Sequence, residues 1–278
     1  MRRAALAGAG AAAVVGAAWT ALVEPRRLRM RRVAVDVPDW PSGLAGLKVA
    51  LISDLHAGAP QIDERRVERV VAATNRAQPD LVALLGDYID PEVALGDSVD
   101  PEAVAYRLAA LQAPLGIFAV LGNHDWLNDG DRVRRALREW RIEVLENDAA
   151  SVDLAGQVVW IVGLADASER TPDLATPFGL VPVGAPLLVL SHNPDLFPML
   201  PDRPSLTLAG HTHGGQVNLP LVRDRVTPSA HGARFAGGLF RDGRRVMYVS
   251  RGIGTSTLPV RLRAAPEVVL LTLAGSVR

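Results

Sequence analysis

The chain has 278 residues, 49% hydrophobic and 22% charged, enough for one substantial globular core and too apolar for a disordered chain. Its 30 basic and 30 acidic residues cancel, which removes the electrostatic footprint of a dedicated nucleic-acid binder, so no nucleic-acid partner is expected. With no cysteine, disulfides, thiolate zinc sites and iron–sulfur clusters are excluded.

The pattern divides the chain into residues 1–24, 25–46 and 47–278. Met1-Arg2-Arg3 precedes an uncharged run from Ala4 to Val23, long enough to span a bilayer although rich in Ala and Gly. Three readings stand: a membrane anchor, an export signal whose paired arginines suit the twin-arginine route, or a buried helix. Residues 25–46 form a linker rich in Arg and Pro that carries a first edge strand. Arg26, Arg27, Arg29, Arg31 and Arg32 within it could keep that side in the cytoplasm by the positive-inside rule, or lie against anionic headgroups.

From residue 47 onward a pattern recurs five times, a short aliphatic run followed at once by a polar residue able to bind metal. Val49 to Ser53 precedes Asp54, Leu81 to Gly86 precedes Asp87, and Ile117 to Gly122 precedes Asn123. Leu187 to Ser191 precedes His192, and Leu206 to Gly210 precedes His211. Apolar runs without alternation predict strands covered on both faces. Between the first two lies a predicted helix, with Asp63 as cap, Ile62 and Val67 as staple, and Val67, Val70, Val71 and Thr74 on one face. Pro101 to Leu111 and Asp131 to Trp140 are also predicted helices. This alternation implies an α/β domain with parallel pairing at its centre. Val152 to Leu154, Val158 to Val162, Phe235 to Phe240 and Val246 to Val249 lack intervening helices and predict antiparallel additions, with Asp242-Gly243 as a hairpin turn.

In open α/β sheets ligands bind beyond the carboxyl ends of the strands, where all five polar residues fall. With neighbours the set is Asp54, His56, Asp87, Asn123, His124, Asp125, His192, His211 and His213, and only His231 among the 6 histidines lies outside it. Imidazole, carboxylate and amide donors without sulfur suit Mn, Fe, Zn or Mg. There are too many for one tetrahedral ion, and about eight donors fit two ions about 3.5–4 Å apart, with one carboxylate bridging. His211 and His213, two apart in a segment read as extended, would point the same way and each reach a different metal.

Asp54-Leu55-His56, Gly86-Asp87, Gly122-Asn123-His124-Asp125, His192 and Gly210-His211-Thr212-His213, in this order, resemble the calcineurin-like metallophosphoesterase family over residues 47 to 278. The resemblance implies a four-layer αββα sandwich, two mixed β-sheets flanked by helices, with a dinuclear centre at the carboxyl ends of the strands. Asp54, His56 and His213 would bind the first metal, Asn123, His192 and His211 the second, and Asp87 both. His124 would be the acid beside the leaving-group oxygen, with Asp125 orienting it, and a hydroxide between the metals the nucleophile. Asn193-Pro194-Asp195, Gly215-Gln216 and Ser250 to Thr255 running on to Arg261 resemble the bacterial branch with an amino-terminal anchor or twin-arginine signal, whose members are phosphodiesterases. That branch is similar to enzymes that split the pyrophosphate of UDP-diacylglucosamine. Arg251 would then approach a substrate phosphate, or simply occupy a turn. The expected activity is hydrolysis of a phosphodiester or pyrophosphate, lipid-linked or of the envelope, at a membrane and on its extracytoplasmic side. The alternatives are a phosphomonoesterase or nucleotide phosphodiesterase of the same fold, or a metal-stabilised binding module.

Overall fold

The computed structural model describes residues 14–90 and 94–275. Twelve strands among them form two six-stranded sheets. The first has the order β1 (Arg29–Asp36), β12 (Glu267–Ala274), β2 (Lys48–Ile52), β3 (Leu81–Leu84), β4 (Ile117–Ala119), β5 (Glu143–Val144). The second runs β10 (Gly238–Asp242), β11 (Arg245–Val249), β9 (Ser205–Ala209), β8 (Leu187–Leu190), β7 (Gln157–Gly163), β6 (Asp148–Leu154). Each run predicted to be a buried strand is one, and β2, β3, β8 and β9 are almost wholly buried because both faces are covered.

Alternation along the strands sorts the core into layers. Val49, Leu51, Leu81, Ala83 and Val120 of the first sheet meet Ile161, Leu188, Leu190, Leu206 and Leu208 of the second. Ala50, Ile52, Val82 and Leu84 point the other way, onto α1 (Glu64–Arg76), α2 (Pro101–Leu108) and α3 (Asn123–Glu139). Val189, Ala209, Met247 and Val249 on the far side of the second sheet pack on Phe178, Phe197 and Phe235, from α4 (Ala175–Leu180) and two single 3₁₀ turns. Each buried Leu or Val contributes about 1.5–3 kcal/mol by leaving water. The four-layer αββα arrangement follows, with a thin second helical layer.

Helix α1 starts where its cap requires, with the Asp63 carboxylate accepting from Arg66 N at 2.7 Å. Two expectations change. Helix α3 begins at Asn123 rather than Asp131, because the Asp125 carboxylate reaches back to accept from Gly122 N at 2.9 Å; the chain breaks at Asp129 (φ −160°, ψ 80°) and restarts. Strand β10 begins at Gly238, since Phe235 ends a 3₁₀ turn. The second sheet is mixed, as the resemblance implies: β7, β8, β9 and β11 run parallel, and the expected antiparallel additions are the β6–β7 and β10–β11 hairpins at its edges. Short helices and 3₁₀ turns supply the crossovers that a search for long helices overlooks.

The residues 25–46 do hold an edge strand, β1, paired in parallel with β12. Ahead of it, residues 19–26 wind in π- and 3₁₀-type turns against the body. Arg261 N donates to Thr20 O at 2.9 Å, Ala264 N to Glu24 Oε1 at 2.9 Å, and Arg66 Nη1 to Arg26 O at 3.0 Å. Among the described residues no helix is long and apolar enough to cross a membrane. Arg2, Arg3 and residues 4–13 of the apolar run lie outside the described residues.

Candidate metal centre

Five strand ends bring their polar residues to one edge of the sandwich. Three groupings of donors have ligand atoms within 4.8 Å of one another: Asp54, His56, Asp87 and His213; Asp87, His192 and His211; and His56, Asp90 and His124. Asp87 belongs to the first two. Its Oδ2 lies 3.5 Å from His56 Nε2 and 3.2 Å from His192 Nε2, and its Oδ1 accepts from His124 N at 2.9 Å. Asn123 joins the second grouping, with Oδ1 3.2 Å from His192 Nε2. His213 Nε2 lies 3.0 Å from His56 Nε2 and 3.6 Å from Asp54 Oδ1. His211 Nδ1 is 3.2 Å from His192 Nε2. All seven predicted ligand residues are therefore gathered at one place.

The backbone bends sharply to do this. Asp54, His56, Asp87, His211 and His213 all have positive φ, between 45° and 68°. An L-residue pays on the order of 1 kcal/mol for that region. Hydrogen bonds lock the bends, including Asp54 N to Gly86 O at 3.0 Å and His56 N to Asp87 O at 2.9 Å. The segment carrying His211 and His213 is thus not extended. Thr212 between them is helical (φ −83°, ψ −8°), and its buried hydroxyl donates to Phe235 O and Ala236 O. The two rings nonetheless enter different groupings. Glycine is needed for close approach at two points: a Cβ on Gly210 would sit 1.9 Å from Ser53 Oγ, and one on Gly122 would sit 2.2 Å from Asp87 Oδ1.

Imidazole orientation suits cation binding. His56 Nδ1 faces Asp90 Oδ2 at 2.8 Å and His192 Nδ1 faces Leu85 O at 2.6 Å. Both partners accept, so each ring keeps a proton on Nδ1 and turns Nε2 inward; burial opposes charge on His192, but Asp87 beside its Nε2 raises it well above its ordinary value. Two Nε2 atoms 3.0 Å apart and two buried carboxylates converge on the same space, a donor set that a hard or borderline divalent cation satisfies. Burial alone would push the Asp87 carboxyl up, but His192, His56 and His124 hold it well below the usual carboxylate range. Burial, with His56 and Arg261 nearby, holds His213 well below its ordinary value. Burial and His192 lower His211. A charged carboxylate and neutral imidazoles are the forms that bind metal.

His124 stands at the edge of this cluster with 18% of its side chain exposed. Its Nδ1 lies 3.3 Å from Asp90 Oδ2 and its Nε2 3.3 Å from Ser256 Oγ. Burial pulls its pKa down, but the Asp90 hydrogen bond and the charge of Asp87 outweigh that and raise it to about 9. Asp125 does not contact this ring. Its carboxylate accepts from Asp87 N (2.8 Å), Tyr88 N (2.8 Å) and Gly122 N (2.9 Å), tying the start of α3 to the strand end that carries Asp87. The carboxylate in contact with both His56 and His124 is Asp90. It lies three residues after Asp87 in Gly86-Asp87-Tyr88-Ile89-Asp90, an acidic residue whose position near the strand end was its only signal.

Arg251 takes a different course from the one expected. Its side chain runs along Gly214 and Gly237 and lines a basin with Arg29, Arg31, Arg32, Arg263 and Glu267 that contains none of the ligand residues. Its carbonyl is what faces the loop behind the site, accepting from Arg261 Nη1 at 2.9 Å. Arg261, buried and not singled out by the sequence as a functional residue, also donates Nε to Gly254 O at 2.9 Å and places Nη2 3.3 Å from His213 Nδ1.

The sequence profile of the calcineurin-like phosphoesterases matches residues 47–215. Among similar proteins, the metallophosphoesterase YkuE of Bacillus subtilis is 30% identical, over 98% of this chain and 94% of its own length. The phosphodiesterase YaeI of Escherichia coli is 32% identical, over 82% of this chain and 83% of its own. The UDP-2,3-diacylglucosamine pyrophosphatase LpxG of Chlamydia trachomatis is 28% identical, over 94% of each chain. Together with the Asp and His groupings at the strand ends, these matches establish that the chain belongs to the calcineurin-like phosphoesterase family and is a hydrolase of phosphate esters with a divalent-metal site.

Proposed function

We propose that the chain is a dinuclear metal-dependent phosphodiesterase acting on phosphodiester or pyrophosphate bonds of a lipid-linked or envelope substrate. The observation that carries the two-ion reading is Asp87, whose carboxylate is shared by the grouping of Asp54, His56 and His213 and that of His192 and His211. Asp54, His56 and His213 would hold one ion, Asn123, His192 and His211 the other, and Asp87 both. Their chemistry admits Mn, Zn, Fe or Mg. When bound, such a pair supplies Lewis acidity and lowers the pKa of a coordinated water toward about 7.

The chain's own residues do the rest. His124 carries a proton and presents Nε2 at the open edge of the cluster, where a departing oxygen can take it. Asp90 holds the ring in that orientation through Nδ1 and favours the protonated form. Asp125 acts on position, fixing the amides of Asp87 and Tyr88. Among the described residues, Ser53 Oγ donates to Asp54 Oδ2 at 2.5 Å and Thr212 to main-chain carbonyls, while Ser256 Oγ lies 3.3 Å from His124 Nε2, a ring held in its protonated form and so suited to act as acid rather than as base.

Relatives named for diester and pyrophosphate cleavage support the bond type, and the lipid substrate in the name of LpxG supports an envelope substrate. Association with a membrane is supported by exposed Val14, Val15, Trp19 and Leu22 on the amino-terminal segment. The metal-loaded protein should hydrolyse bis-p-nitrophenyl phosphate faster than p-nitrophenyl phosphate. A clear preference for the monoester would reject the diesterase assignment, and metal analysis should give two ions per chain. Deleting residues 1–18, which leaves Glu24 and its contact to Ala264 in place, should release the protein from membranes. Full retention would count against anchoring.

A further inference from the structure

Beside the metal-binding cluster opens a cavity of about 320 Å³ lined by His213, Gln216, Val217, Val226, Leu258 and Val260, among others. Its two walls are bolted together by one side chain. Gln216 Nε2 donates to Ser256 O (3.1 Å) and Leu258 O (2.8 Å), and its Oε1 accepts from Ser256 N (3.0 Å). The cavity starts where the proton of His124 is presented, because Ser256 belongs to its lining and has Oγ 3.3 Å from His124 Nε2.

The lining decides what it can hold. Apart from His213 it contains no ionisable side chain, so nothing there complements a second phosphate or a carboxylate. The Gln216 amide is spent on backbone partners, which leaves no fixed side-chain donor–acceptor pair to read a nucleobase edge. What remains is branched aliphatic surface from Val217, Val226, Pro228, Leu258 and Val260. The volume is roughly ten water-sized volumes, room for an aliphatic segment. We propose that this cavity is the subsite for the aliphatic portion of the substrate's leaving group, a proposal that rests on the phosphodiesterase reading above.

The test is calorimetric binding of n-alkylphosphonates of two to eight carbons to the metal-loaded full chain. Affinity should rise about threefold to fourfold per methylene until the cavity fills, and then level off. In the double variant Val226→Asp/Leu258→Asp the series should flatten, with metal content and melting temperature unchanged, since both side chains are largely exposed (44% and 56%). Val260→Phe should bring the plateau to a shorter chain. A flat series in the native protein, no binding at any length, or a slope unchanged in the double variant overturns the proposal. The two readings fail separately: flat binding beside brisk diester hydrolysis sinks only the subsite, and absent diester hydrolysis sinks the diesterase reading.

Discussion

Replacing Asp90 by Asn tests the reasoning about the site most directly, because it keeps the shape of the side chain and removes its charge. Asp90 Oδ2 sits 2.8 Å from His56 Nδ1 and 3.3 Å from His124 Nδ1. Burial would push this carboxyl up, yet the hydrogen bonds of His124 and His56 hold it below the usual carboxylate range, so the anion is the form bound to both rings. A hydrogen bond to a charged group contributes about 1.5–3 kcal/mol, and each 1.4 kcal/mol is tenfold in an equilibrium or a rate. Loss of the charge behind His56 should lower metal affinity about 10–100-fold, the range typical of a partner behind a ligating histidine. The same change removes the support for the His124 proton, so kcat should fall by at least about tenfold even at saturating metal. Metal affinity is read by titration against a competing chelator, kcat with an aryl diester, and folding by thermal melting. If Asp90→Asn melts like the native protein and stays within about twofold in both affinity and kcat, the assignment of Asp90 as the orienting carboxylate is refuted.

His124→Gln should lower kcat about 10²–10⁴-fold while metal content stays at the native level; loss of metal instead would make His124 a ligand. Chelation should lower the melting temperature by about 10–20 °C for two ions each present near 100 times its dissociation constant, because they bind the folded chain only. A melt insensitive to chelator would refute metal binding by the buried Asp and His groups. Gly122→Ala drives a Cβ to 2.2 Å from Asp87 Oδ1; it should reduce metal content and activity together, and native metal stoichiometry in this variant would show that the close approach is not needed.

The sequence carried the fold class because each buried strand announces itself as an unbroken aliphatic run. It carried the seven candidate ligand residues because five follow such a run directly, with His56 and His213 two residues beyond Asp54 and His211, and a strand end is a fixed address in an α/β sandwich. The start of the helix Glu64–Arg76 was legible to the residue for a local reason, the Asp63 cap. Helix α3 was legible only from its second half, since its first turn is made of the Asn123-His124-Asp125 motif itself and reads as a loop.

Other features depend on contacts between distant segments. Strand β12 inserts between β1 and β2, joining segments more than 200 residues apart, and no local periodicity states that order. Asp90 rather than Asp125 backs His124 because the chain after Asp87 folds back beneath the ring, whereas Asp125 is consumed by backbone amides at the start of its own helix. Arg251 turns its side chain away from the cluster along Gly214 and Gly237. The cavity beside His213 exists because Gln216 clamps a loop 40 residues further along the chain. Residue type and spacing determined which groups are available for metal chemistry. Which oxygen faces which nitrogen was decided by tertiary structure, because hydrogen-bond geometry is set by the packing of both partners rather than by the sequence near either one.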